Sequence, residues 1–250
     1  MGKTSIEWAT DSWNPIRARN KETGKVGWWC SKIALGCAHC YAETMNLLRG
    51  TGVRYAEDQA DKVDLFLDEK MLAEPLRWRK PRRVFVCSMT DLFHERMPIR
   101  FIAEMFNIMV AWRLRCRKKM HEDDGHEPEC YENPGHTYLI LTKRPERMLE
   151  VLKPGGLLAA DVAEYWPGDS ALAAAYEYNG RPFPNVWLGV SVATQEDADR
   201  DIPILLQTPA AVRFVSYEPA LGPVDFGLYL TRNLFRPLRD PLPGVGWLII

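Results

Sequence analysis

The sequence predicts a parallel α/β fold: a partial (β/α)6 TIM-like barrel in a single domain over residues 1–250. Two observations carry that expectation. Short apolar runs such as Val84-Phe85-Val86-Cys87, Leu139-Ile140-Leu141 and Val186-Trp187-Leu188-Gly189-Val190 lack the alternation of a half-exposed strand, as strands buried on both faces do. These runs alternate with helical segments, the rhythm of parallel strands joined by right-handed crossovers. An open doubly wound sheet shares the rhythm, but no glycine-rich dinucleotide fingerprint follows any strand, which favours the barrel.

Taken in order, residues 10–16 alternate and read as a first strand leading to a cysteine-rich loop. Residues 20–24 read as a turn, and Tyr41–Arg49 as a helix stopped at Gly50. Leu65, Leu67, Met71, Leu72, Leu76 and Trp78 have helical spacing, so residues 65–79 read as a helix interrupted by Pro75. Residues 83–91 form the next strand, and residues 98–114 a helix with Pro98 in its first turn and a wide apolar stripe. Residues 115–136 are charged and read as a surface insertion. Residues 138–144, 186–192, 212–219 and 246–250 complete a count of six strands, with helices over residues 145–152, within 157–180, and over 195–207.

Apolar content of 46% and charged content of 26% are ordinary for a globular chain, and a net charge of −1 provides no global attraction to nucleic acid or membrane. Local basic runs lie at residues 77–83 and 113–119. No segment reads as a signal peptide and no apolar run reaches membrane-spanning length, so the expected location is cytoplasmic, without a membrane partner. In that compartment six cysteines read as thiols or metal ligands rather than disulfides.

Three of those cysteines, Cys30, Cys37 and Cys40, fall in one loop with spacing C-x6-C-x2-C. Thiolates are the ligands that zinc and iron–sulfur clusters prefer. Gly36 allows a tight turn, and a helix opening at Tyr41 favours a thiolate or an anionic cluster at its N-terminus. Two metals fit the loop alone. A structural zinc needs a fourth ligand, which Cys87 or His94 could supply. A four-iron cluster on three cysteines keeps one iron open for a small molecule. A second set, Cys116, His121, His126 and Cys130, has ligand types suited to zinc but no standard finger spacing.

The strand ends add the second half of a site. Ser88 and Asp91, then Lys143 and Arg144, then Ser191, then Glu218 stand at successive strand exits. In a barrel these exits share one face with the cysteine loop, and catalytic groups come from several tips there. Ser88, Asp91, Ser191 and Glu218 suit amino and ribose groups, Lys143 and Arg144 suit a carboxylate or phosphate, and His94 suits proton donation. Each has an ordinary structural use as well: a cap, a turn, a surface ion pair.

The segments Gly36-Cys37-Ala38-His39-Cys40-Tyr41-Ala42-Glu43, Asp91-Leu92-Phe93-His94-Glu95, Leu141-Thr142-Lys143-Arg144-Pro145-Glu146-Arg147-Met148, Asn185-Val186-Trp187-Leu188-Gly189-Val190-Ser191-Val192 and Glu218-Pro219-Ala220-Leu221-Gly222-Pro223 resemble a phage-associated three-cysteine-motif family of unknown function that is similar to radical S-adenosylmethionine (SAM) enzymes. The resemblance runs from about Trp8 to the last residue. It implies a barrel of the radical SAM type and a [4Fe–4S] cluster on Cys30, Cys37 and Cys40 with SAM on the open iron. Asp91, His94, Lys143 and Glu218 are then the candidate catalytic residues, with Ser88, Asp91, Lys143, Arg144, Ser191 and Glu218 binding the cofactor. It further implies an external electron donor and the host cytoplasm for a phage-encoded protein; it supplies no substrate, and the phage setting points to a small molecule, a nucleotide or a nucleic-acid base, with nucleic acid as a candidate partner. The family's usual continuation past this last strand leads to the expectation that a final C-terminal segment is lacking. The rival expectation is a zinc-stabilised nucleic-acid-binding protein without catalytic activity.

Overall fold

The structure, a computed structural model, describes residues 4, 6–122, 135–160, 182–230 and 245–249. Its main layer is a six-stranded parallel sheet. The strands are β1 (Asp11–Trp13), β5 (Arg83–Val86), β6 (Thr137–Thr142), β7 (Val186–Val192), β8 (Val212–Tyr217) and β9 (Trp247–Ile249), neighbours in that order. Spatial order follows chain order, so every crossover advances in one direction. A doubly wound sheet reverses direction at a switch point; this one does not. Among the described residues β9 does not pair with β1, and no closed ring forms.

Winding in one direction, with crossovers of one hand, puts the crossover helices on a single face. Helices α3 (Ile99–Glu122), α4 (Pro145–Leu152) and α5 (Gln195–Gln207) bury Ile102, Phe106, Met109, Met148, Val151, Ile202 and Leu205 against Trp13, Val84, Val86, Ile140, Leu188, Val190 and Val215. Local signals start these helices: Pro145 opens α4, and the Thr194 hydroxyl accepts from the Asp197 amide at the start of α5. Strand residues of the opposite parity, Phe85, Leu139, Phe214 and Ile249, face the other way and are covered by Trp8 and Ala9 of the N-terminal segment. Trp8 packs on Phe85 with centroids 4.6 Å apart. A Cβ at Gly189 would lie 2.5 Å from Phe214 Cε2, so this glycine gives the Phe214 ring its place across β7.

Flanking the cysteine loop in the chain is a unit the sequence reading did not anticipate. It is a three-stranded antiparallel sheet of β2 (Ile16–Asn20), β3 (Val26–Gly27) and β4 (Val63–Leu67), in the order β3-β2-β4. Residues 65–79, expected as a helix, are therefore corrected. β4 pairs along its whole length with β2, from Val63 opposite Asn20 to Leu67 opposite Ile16. Only α2 (Glu69–Leu72), capped by Asp68, and a 3-10 turn at Glu74–Arg77 are helical. Leu65 and Leu67 fit a strand period as well as a helical one, and the strand partner decided. The expected first strand also divides, into β1 and β2.

A second correction concerns the charged insertion. α3 continues to Glu122, because Arg117, Lys118, Lys119 and Met120 are strong helix formers and no glycine or proline intervenes. The rest of the insertion, with His126 and Cys130, lies outside the described residues, as do the side chains of Cys116 and His121. Among the described residues no helix is long and apolar enough to cross a membrane.

Candidate active site at the strand ends

A cavity of about 520 Å³ opens at the C-terminal ends of the parallel strands. Cys30, Cys37 and Cys40 line it, and so do Ser88, Asp91, Lys143, Arg144, Ser191 and Glu218. Residues from five separated segments thus converge, as the polar strand exits predicted. His94 does not line it; this residue is 1% exposed and sits behind the cysteine loop, its ring 5.0 Å from Trp29.

The cysteine segment crosses the mouth as a 3-10 turn at Leu35–His39, followed by α1 (Tyr41–Arg49). Gly36 is buried beneath it: an added Cβ would lie 3.1 Å from Pro219 Cδ and 3.2 Å from Ala193 Cβ. Three hydroxyls tie this unit to the turn after β5 and its own loop. Tyr41 donates to the Ser88 carbonyl at 2.7 Å, Tyr55 to the Met89 carbonyl at 2.7 Å, and Thr90 to the Trp29 carbonyl at 2.7 Å. The turn itself leaves β5 through Cys87, whose φ of 56° is left-handed, an uncommon state for a residue with a side chain. The Cys87 thiol packs in the core 4.0 Å from Met105 Sδ, not toward the cavity.

Asp91 and Arg144 form the buried centre of the wall. The Asp91 carboxylate accepts from the Thr142 hydroxyl at 2.8 Å, the Phe93 amide at 3.0 Å, the Lys143 amide at 3.2 Å and Arg144 Nη1 at 3.2 Å. Arg144, 3% exposed, also donates to Glu95 at 2.8 Å and to the Ser31 carbonyl at 2.9 Å, and its Nη1 lies 3.9 Å from Cys30 Sγ. Burial opposes its charge, but Asp91, Cys30 and Glu95 outweigh it and raise the guanidinium further. With its donors committed to the protein, Arg144 anchors the loop rather than reaching for a ligand. His94 belongs to the same network. Its Nδ1 accepts from the Arg96 amide at 3.0 Å, so its Nε2–H donates to the Ser31 hydroxyl at 2.8 Å. Burial, reinforced by Arg144, pushes the imidazole down to about 4. Burial likewise pushes the Cys30 thiol up to about 12, with Arg144 opposing.

Lys143 Nζ donates to the Ser191 hydroxyl, which in turn donates to the Glu218 carbonyl at 3.0 Å. Ser88 is braced by Asn14, whose Oδ1 also accepts from the Met89 amide at 3.0 Å. Sequence reading missed Ser31, Tyr55, Thr142 and Ser216. Strand alternation was a usable signal for the last, since Phe214 and Ser216 share one parity on β8 and Glu218 follows at the same spacing just past its end.

Among the described residues, no three His, Cys, Asp or Glu side chains are drawn together around a single metal ion. Three thiols on one cavity wall, with the Arg144 guanidinium beside Cys30, match an anionic cluster in ligand type and charge.

The fold and cavity define a singly wound parallel α/β protein with its site at the strand C-termini. The chain belongs to the family described as "Protein of unknown function (DUF5131)", whose model matches residues 3–114 and 129–250. No curated protein matches it, and no solved structure does.

Proposed function

We propose that this protein is a cytoplasmic, phage-associated enzyme of the radical SAM type, its sheet a partial (β/α)6 barrel. The observation that carries the reading is the shared cavity: three cysteines on one wall, polar strand tips on the others. Cys30, Cys37 and Cys40 would hold a [4Fe–4S] cluster. When bound, it supplies the electron that cleaves SAM reductively, drawn from an external donor protein.

The chain's own residues have separable tasks. Lys143, half-buried and bonded to Ser191, offers a cation to a ligand carboxylate. Ser88, Ser191 and Glu218 offer hydrogen bonds to amino and ribose groups around the rim. Asp91, Arg144 and His94 position the cysteine loop through Ser31, Thr142 and Glu95. Tyr41, Tyr55 and Thr90 hold the loop over the mouth, which limits water. The substrate is a small molecule or nucleotide held against these groups.

The test is anaerobic reconstitution with iron and sulfide, then dithionite and SAM. The expected result is about four irons per chain, lost in Cys30→Ala, Cys37→Ala and Cys40→Ala, with 5′-deoxyadenosine formed by the wild type. One tightly held zinc, no iron, and salt-sensitive nucleic-acid binding would instead identify a zinc-stabilised binding protein. Iron without 5′-deoxyadenosine would leave a cluster protein and remove the enzyme.

A further inference from the structure

The cavity changes character with depth. At the rim stand Lys143 and Glu218, with Asp91 buried in the wall. One step back along each strand the inner parity is apolar: Phe85 on β5 and Leu141 on β6, with Trp8 and Ile6 from the N-terminal segment against them. Trp8 and Phe85 are each 7% exposed and tilt at 53° to one another. No titratable side chain belongs to this floor. A charged ligand group placed there would lose its hydration without a counter-charge.

One polar atom stands at the upper edge of the floor, one step beyond Phe214 on the same face of its strand. Ser216 is fully buried on β8, in register with Ser191 on β7, and lines the cavity. Its hydroxyl has no hydrogen-bond partner among the described residues. The neighbouring Ser191 hydroxyl, by contrast, is engaged by Lys143 and the Glu218 carbonyl. An unpaired buried hydroxyl costs stability in the free protein. Its cost is recovered when a ligand brings a donor or acceptor to that point.

We infer that this floor is a subsite for the flat, uncharged base of a nucleoside, with Ser216 meeting the hydrogen-bonding edge of the ring. Aromatic faces suit a planar π-system. An aliphatic chain would satisfy Trp8, Phe85 and Leu141 but leave Ser216 unpaired. A charged ring would meet no counter-ion. A nucleoside also matches the gradient, since its sugar would reach the polar rim at Ser88 and Glu218. The inference deepens the radical-enzyme reading by taking the floor as the place of the substrate. The same chemistry could come from the adenosine of SAM, and the experiment separates the two sources.

The probes are adenosine, guanosine, cytidine, uridine and thymidine, titrated calorimetrically into the protein with and without saturating S-adenosylhomocysteine. At least one nucleoside is expected to bind, undiminished by S-adenosylhomocysteine. Ser216→Ala should weaken that binding by about 3- to 10-fold, the loss of one hydrogen bond. The same variant should leave the melting temperature of the free protein unchanged or raised, because the hydroxyl it removes is unpaired. Competition by S-adenosylhomocysteine would assign the floor to the cofactor and overturn the inference. So would the absence of binding by all five nucleosides, unaltered affinity in Ser216→Ala, or a melting temperature lowered by several degrees. Nucleoside binding by iron-reconstituted protein that binds no S-adenosylhomocysteine would uphold the subsite while removing the radical-enzyme reading.

Discussion

The guanidinium of Arg144 donates to both oxygens of Ser31, at 2.9 Å to the carbonyl and 3.2 Å to the hydroxyl. A residue at the exit of β6 thereby holds the residue next to the first cysteine. Glu95 and Asp91 hold the same guanidinium from two other directions. Several distant segments depend on one buried cation.

Replacement of that cation should be costly. Arg144→Met leaves Asp91 buried without its charge partner, and breaking such a pair costs about 3–5 kcal/mol. Urea unfolding is expected to show a loss of that size, and alkylation of Cys30 should become faster as the loop comes free. A variant within about 0.5 kcal/mol of wild type would show that Asp91 and Ser31 do not depend on Arg144.

His94 predicts a pH dependence with a definite sign. Its imidazole titrates at about 4 in the folded chain, held down by burial and by Arg144, against Glu95, Asp91 and Glu57, which pull it upward. In the unfolded chain it titrates near 6.5. The unfolded state therefore takes up the proton first. The contribution is complete above about pH 6.5 and is lost as the pH falls toward 4, roughly 3 kcal/mol in all. Thermal melts of wild type and His94→Gln across that interval should converge at the acid end. Parallel curves would show that His94 is not the group responsible.

Gly36→Ala tests the seat of the cysteine loop. Its Cβ would approach Pro219 Cδ and Ala193 Cβ at 3.1 and 3.2 Å, so the loop or these side chains must give by a few tenths of an ångström. A modest destabilisation of about 1 kcal/mol is expected, together with faster labelling of Cys37 by thiol reagents. Unchanged labelling would mean that the loop tolerates the methyl group where it lies.

Gly189→Ala places a methyl 2.5 Å from the Phe214 ring. Forced displacement of a fully buried ring should cost about 1–3 kcal/mol. Phe214→Leu in the same background should recover part of it, because the two positions are in contact and are not additive. Independent effects in the double-mutant cycle would contradict the packing.

The six parallel strands and the helices after β5, β6 and β7 were legible because each carries its own signal: an alternating or unbroken apolar run, a proline in the first turn, or a helical spacing of apolar residues. The clustering of Ser88, Asp91, Lys143, Arg144, Ser191 and Glu218 was legible too, since strands that run parallel must present their C-terminal tips together. The antiparallel unit of β2, β3 and β4 was not, because β4 takes its strand form from pairing with a partner distant in sequence.

The sequence alone determined which residue types reach the strand ends and that three cysteines share one short loop. Only the tertiary structure decided their tasks. It closed Arg144 and His94 into a buried network behind Ser31, and it left the Ser216 hydroxyl unpaired among the described residues at an aromatic floor. The physical reason is that residue identity and strand parity are local properties, whereas burial and hydrogen-bond partnership are set by what other segments bring within reach.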